Sequence, residues 1–123
     1  MKRAFISFDF DKDQTLKHLF AGQFKLPESP FAAADWSMKE AAPLKHWERE
    51  AESRIKRSDI VIVLVGPKTH LAPGVRKEVA IARKLGKPIV QIIGYTDSRP
   101  TAVPDAGRLI RWSWRNLRNI LAG

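Results

Sequence analysis

The chain has 123 residues, a length that suits one domain over 1–123, and its 22 Lys and Arg outnumber 13 Asp and Glu for a net charge of +9. That charge draws phosphates, nucleic acid or acidic partners, but no recognition-helix, zinc-finger or aromatic-basic RNA motif accompanies it, so a nucleotide ranks above a polymer as the anionic ligand. The absence of cysteine excludes disulfides, thiolate metal sites and cysteine nucleophiles, and His18, His46 and His70 lack ligand spacing, which argues against a metal enzyme.

Arg3 to Phe8, RAFISF, reads as a first strand that ends in the acidic cluster Asp9-Phe10-Asp11-Lys12-Asp13. The basic start leads into this short run alone, and no apolar stretch reaches transmembrane length, so a soluble, cytoplasmic protein is expected. Leu16, Leu19 and Phe20 lie three and four apart and predict a helix from about Asp13 to Gln23 packed on the sheet. Lys25 to Pro30 reads as a loop. Phe31 to Ser37 suggests a short edge strand with Asp35, Trp36 and Ser37 at its carboxyl end, although its alanines suit a helix equally well.

Pro43 opens a helix in which Leu44, Trp47, Ala51 and Ile55 recur at helical spacing, with Arg54, Lys56 and Arg57 late, where they complement the helix dipole. Ile60 to Val65 is six consecutive β-branched or leucine residues, and Ile89 to Ile93 repeats that character after Gly86-Lys87-Pro88, which suits strands buried on both faces of a parallel sheet. After Gly94 the chain is too rich in proline and turn formers for a full helix until Arg108 to Trp112, a fifth strand. Ser113 then caps a last helix that turns Trp114, Leu117, Ile120 and Leu121 inward.

The segment between the two apolar strands carries a single acid on its apolar face. On a helical wheel centred on Val75, Val79, Ala82 and Gly86 fall within about 40°, and Arg76, Lys77, Arg83 and Lys84 lie on the opposite side. Glu78 lies about 60° from Val75, beside Ala82 and Leu85. A carboxylate near the start of a helix that follows a parallel strand stands at the carboxyl edge of the sheet, where open α/β sheets hold ligands. The alternative is a glutamate at the margin of the stripe that reaches water and complements the helix N-terminus.

These elements predict a doubly wound α/β domain with five parallel strands ordered 2-1-3-4-5 and helices on both faces. The crevice between strands one and three would gather Ser7, Phe8, Asp9, Gly66, Lys68, Thr69 and Glu78, with Asp35, Trp36 and Ser37 reaching it from the side. Phe8 can stack on a ring, Asp9 can hold a hydroxyl, Asp35 or Ser37 can bind a ribose or amide edge, and Lys68 and Thr69 can meet phosphate. Each also has an ordinary structural role: Phe8 in the core, Asp9 as a helix cap, Asp35 to Ser37 as a turn, Lys68 in solvent.

Phe5-Ile6-Ser7-Phe8, Gly22-Gln23, Asp35-Trp36-Ser37, Ser58-Asp59 with Ile60 to Gly66 and Thr69, and Val75-Arg76-Lys77-Glu78 leading to Gly86-Lys87-Pro88-Ile89 together resemble the bacterial TIR-like domains, most closely the TIR component of the Thoeris anti-phage defence system. The resemblance implies a flavodoxin-like fold and an enzyme that consumes NAD as its substrate, without a resident cofactor. A glutamate at the position of Glu78 would attack or stabilise the ribose as nicotinamide leaves. It also implies a cyclic ADP-ribose-type product read by a separate effector protein, and self-association. Members of the family usually carry tryptophan before the valine of the glutamate segment, where this chain has Pro73-Gly74-Val75.

The spacing Gly74-x-x-x-Glu78-x-x-x-Ala82-x-x-x-Gly86 is also similar to nucleoside 2-deoxyribosyltransferases and related nucleotide N-glycosidases, which set a glutamate against a sugar carbon. A third reading is a non-catalytic TIR-like module that binds partners through the basic, tryptophan-containing stretch Arg108 to Arg118.

Overall fold

The computed structural model describes residues 2–9, 15, 17–18, 20, 22, 31–37, 44–66, 68–93 and 101–111. Strands β1 (Lys2–Ser7), β2 (Phe31–Trp36), β3 (Ile60–Val65), β4 (Ile89–Ile93) and β5 (Arg108–Arg111) form one sheet in the order β2-β1-β3-β4-β5, with every neighbouring pair parallel. Among the described residues, helix α1 (Leu44–Lys56) precedes β3 and helix α2 (Pro73–Lys84) lies between β3 and β4. The α/β alternation expected from the periodicities is therefore present, with β2 at one edge. The last helix, expected from Ser113, lies outside the described residues.

All six residues of β3 are buried, as a strand covered on both faces requires. Alternation sorts the side chains of β1. Ala4, Ile6 and Phe8 join Ile60, Ile62, Leu64, Val90 and Ile92 on one face, with Phe20 against them. Phe5 joins Val61, Val63 and Val65 on the other, where α1 contributes Ile55 and α2 contributes Val75, Val79 and Ala82. Phe20 is one of five described positions with helical backbone between Thr15 and Gly22, inside the first predicted helix.

Local chemistry fixes the ends of these elements. Pro73 occupies the first turn of α2, where its missing N–H costs nothing. At the other end Gly86 has φ 68°, its N–H reaches the Arg83 carbonyl at 3.1 Å and the Lys87 N–H reaches that of Ala82 at 2.9 Å. This is a Schellman closure, whose left-handed position glycine fills without a Cβ penalty. After α1 the Ser58 hydroxyl donates to the Arg54 carbonyl at 2.9 Å. Asp59 then brackets Arg3: its N–H donates to the Arg3 carbonyl at 2.7 Å and its Oδ2 accepts from the Arg3 N–H at 2.8 Å, which sets β3 in register with β1.

Between β4 and β5 the described residues 101–107 form no helix. Val103 and Ala106 nevertheless cover the second face as a helix would. Gln91, buried in the middle of β4, holds this segment down: its Nε2 donates to the carbonyls of Val103 at 3.1 Å and Gly107 at 3.0 Å, and its Oε1 accepts from the Val103 N–H at 2.7 Å. A buried amide with these partners satisfies the backbone that an irregular segment leaves open. Among the described residues no helix is long and apolar enough to cross a membrane.

Candidate active site

Three strand ends converge on one carboxyl group. Ser7 is the last residue of β1, Ser37 follows β2, and Glu78 lies in the helix that follows β3. Glu78 is 1% exposed, so the solvated margin of the stripe is not its position. The Ser7 hydroxyl donates to Glu78 Oε1 at 2.8 Å, and the Ser37 hydroxyl donates to the same oxygen at 2.5 Å. The Ser37 oxygen in turn accepts the Phe8 N–H at 3.0 Å, and its own N–H reaches the Ile6 carbonyl at 2.9 Å. Its hydroxyl also lies 3.5 Å from the Ile6 carbonyl. One proton cannot serve both acceptors, and the shorter contact to the carboxyl takes it. A buried carboxyl thus receives two hydroxyl donors on one oxygen, which fixes its orientation and offsets part of the cost of its burial.

A β-bulge brings the second serine there. Ala4 pairs with Ala33, yet Phe5 pairs with Asp35 and Ile6 with Trp36, so β2 contains one extra residue at this point. Paired residues on neighbouring strands face the same side of the sheet, and a one-residue slip exchanges the faces. Without the bulge Trp36 would stand beside Ser7. With it, Trp36 packs on the first face and Ser37 takes the place next to Ser7.

The other expected site residues divide accordingly. Phe8, 1% exposed, is a core residue set edge-on to Trp36 with ring centroids 6.4 Å apart. The side chains of Phe8 and Trp36 pack on the other face of the sheet, where the Lys17 ammonium lies 5.7 Å from the Trp36 ring centre. Asp9 is buried two residues beyond Ser7. Asp35 lies in β2 opposite Phe5. Gly66 and Thr69 are buried in the turn after β3, and the Thr69 Oγ1 accepts the Gly66 N–H at 2.7 Å, a contact that closes the turn onto the short 3-10 segment Thr69–Leu71. Lys68 is exposed.

The sequence sets Ser7 and Ser37 near the crevice but does not show their contact with the Glu78 carboxyl. Their separations from it, 71 and 41 residues, leave no local signal. For Gln91 the sequence does carry a signal, a polar residue inside an apolar strand.

The parallel sheet, with a buried acid held at the carboxyl ends of its strands, defines an open α/β domain of the kind that places chemistry at the crevice where strand order reverses. Residues 5–98, most of the chain, match the family of the Thoeris protein ThsB, TIR-like domain. The chain belongs to this family of TIR-like domains of anti-phage defence. Among curated proteins, none matches the chain.

Proposed function

We propose that this TIR-like domain cleaves the bond between nicotinamide and ribose in NAD, with Glu78 as the catalytic carboxylate. The observation that carries this reading is the burial of Glu78 under two hydroxyl donors at the carboxyl edge of the sheet. In the reaction the bond from C1′ to the pyridinium nitrogen breaks, its electron pair leaves with nicotinamide, and positive charge develops on the ribose. A carboxylate beside that carbon stabilises the oxocarbenium-like state by charge or captures it, and a surrounding of low polarity strengthens the effect. Water then takes C1′ to give ADP-ribose, or a nucleophile within ADP-ribose takes it to give a cyclic product, the signal a separate effector would read.

Ser7 and Ser37 act through Glu78 in this scheme. Two donors on Oε1 hold the carboxyl plane in one orientation, and preorganisation of this kind lowers the reorganisation required at the moment of reaction.

The test is NAD turnover by the purified chain and its Glu78→Gln variant, at high protein concentration with a crowding agent, with products resolved by chromatography and mass spectrometry. Loss of nicotinamide release by at least about 100-fold in the variant, with unchanged circular dichroism, is the expected result. Base release from a deoxynucleoside monophosphate, with none from NAD, would replace the reading with a nucleotide glycosidase.

A further inference from the structure

The solvent face of α2 is built differently from that of α1. On α1 the exposed Glu50 pairs with Arg54 at 3.0 Å. On α2 the sole acid is the buried Glu78, and the residues turned outward include Arg76, Lys77, Arg83 and Lys84 with no acid among them. Arg76 and Lys77 stand near the positive end of the helix dipole, with no acid in the first turn to balance it. Cations here work against helix stability, and like charges on neighbouring turns add to the cost.

These cations border a depression. Between α2 and the turn at Pro104 and Asp105 runs an open groove of about 530 Å³, with Arg76 and Lys77 at one end, Arg83 at the other, and Ala80 and Pro104 between them. Arg83 is held toward the groove by a 3.2 Å hydrogen bond from its Nη1 to the Asp105 carbonyl oxygen. Asp105 itself is fixed in the left-handed region at φ 62°, next to the segment that Gln91 anchors to the sheet. Among the described residues neither Arg76 nor Arg83 forms an ion pair. Arg76, Lys77 and Arg83 outnumber the one acid of the lining, the exposed Asp105, so the net charge of the groove is positive, and Ala80 and Pro104 make its centre apolar.

The dimensions select an occupant. Arg76 and Arg83 are seven residues apart on one helical face, about 10 Å along the axis at 1.5 Å per residue. In a peptide with the polyproline II conformation, residues three apart lie on the same side and span about 9 Å, nearly the same distance. Single-stranded nucleic acid binds by stacking bases on exposed aromatic rings. Among the described residues the ring in contact with one of these cations is Trp47, which is 5% exposed and lies 5.8 Å from the Lys77 ammonium.

We propose that this groove docks an extended acidic peptide segment of a partner protein, with carboxylates three positions apart on Arg76 and Arg83 and a small apolar side chain over Ala80 and Pro104. The site faces away from the carboxyl group of Glu78 and does not depend on its chemistry.

The test uses the full chain and a fluorescein-labelled octapeptide that carries two glutamates three positions apart around Leu-Ala, read by fluorescence anisotropy. The Arg76→Glu/Arg83→Glu variant is compared with Arg3→Glu/Lys56→Glu, which has the same net charge and alters exposed residues that do not line the groove. Saturable binding by the wild type, weakened more than about tenfold in the groove variant and less than about threefold in the control, is expected. Arg76→Gln/Arg83→Gln should give an intermediate loss, and Glu78→Gln should bind as the wild type does. Equal losses in the two charge-reversed variants, no saturable binding by the wild type, or stronger binding of an oligothymidylate of the same charge would overturn the proposal.

Discussion

Replacing Ser37 with alanine removes one oxygen and breaks two contacts at once. Glu78 Oε1 loses a donor at 2.5 Å and the Phe8 N–H loses its acceptor at 3.0 Å. Ser37 is 7% exposed and Phe8 1%, so the cost is not relieved by bulk water. A hydrogen bond to a charged group contributes about 1.5–3 kcal/mol and a stranded buried N–H costs about 1–3 kcal/mol, so a combined loss near 3 kcal/mol is expected. That is roughly a hundredfold change in the unfolding equilibrium. Urea denaturation followed by tryptophan fluorescence reads it as a lowered midpoint with an unchanged slope.

A double-mutant cycle with Glu78→Gln isolates the part that runs through the carboxyl. The glutamine keeps an acceptor of the same shape but loses the charge, and charge-assisted bonds are about twice as strong as neutral ones. Coupling of at least about 1 kcal/mol between the two positions is expected for groups in direct contact. A Ser37→Ala protein within about 0.5 kcal/mol of the wild type, or additive single changes, would refute the view that this hydroxyl holds the carboxyl in place.

Three further outcomes follow from the packing. Gln91→Leu keeps the volume but strands the Val103 N–H and the Val103 and Gly107 carbonyls; it should cost about 2–4 kcal/mol and raise amide exchange across residues 101–107, measured by hydrogen-exchange mass spectrometry. Gly107→Ala should be more damaging, because φ is 82° and a Cβ there would overlap the Ile89 carbonyl oxygen; a fall in melting temperature exceeding that of Gln91→Leu is expected. Thr69→Val removes the acceptor of the buried Gly66 N–H and should cost about 1–2 kcal/mol in the same denaturation assay.

Much of the fold is legible from short-range patterns. The six-residue run Ile60 to Val65 is a strand buried on both faces because every side chain is apolar, and the closing Gly86 is marked by the basic last turn before it. The position of Glu78 is legible for the same reason: helical spacing sets it beside Ala82. The segment 101–107 was readable as non-helical from its prolines, but its role as the cover of one sheet face was not, because Gln91 makes those contacts from 12 and 16 residues away.

Periodicities of two and 3.6 residues within single segments fix the kind of element each stretch forms and which acid lies on an apolar face. The tertiary structure alone decided what surrounds that acid. The bulge opposite Ala4 and Phe5 turns Ser37 rather than Trp36 toward Ser7, and parallel pairing then places both hydroxyls on Glu78. No local pattern encodes this, because the facing of a strand changes with a one-residue slip in register, and register is set by the packing of the whole sheet.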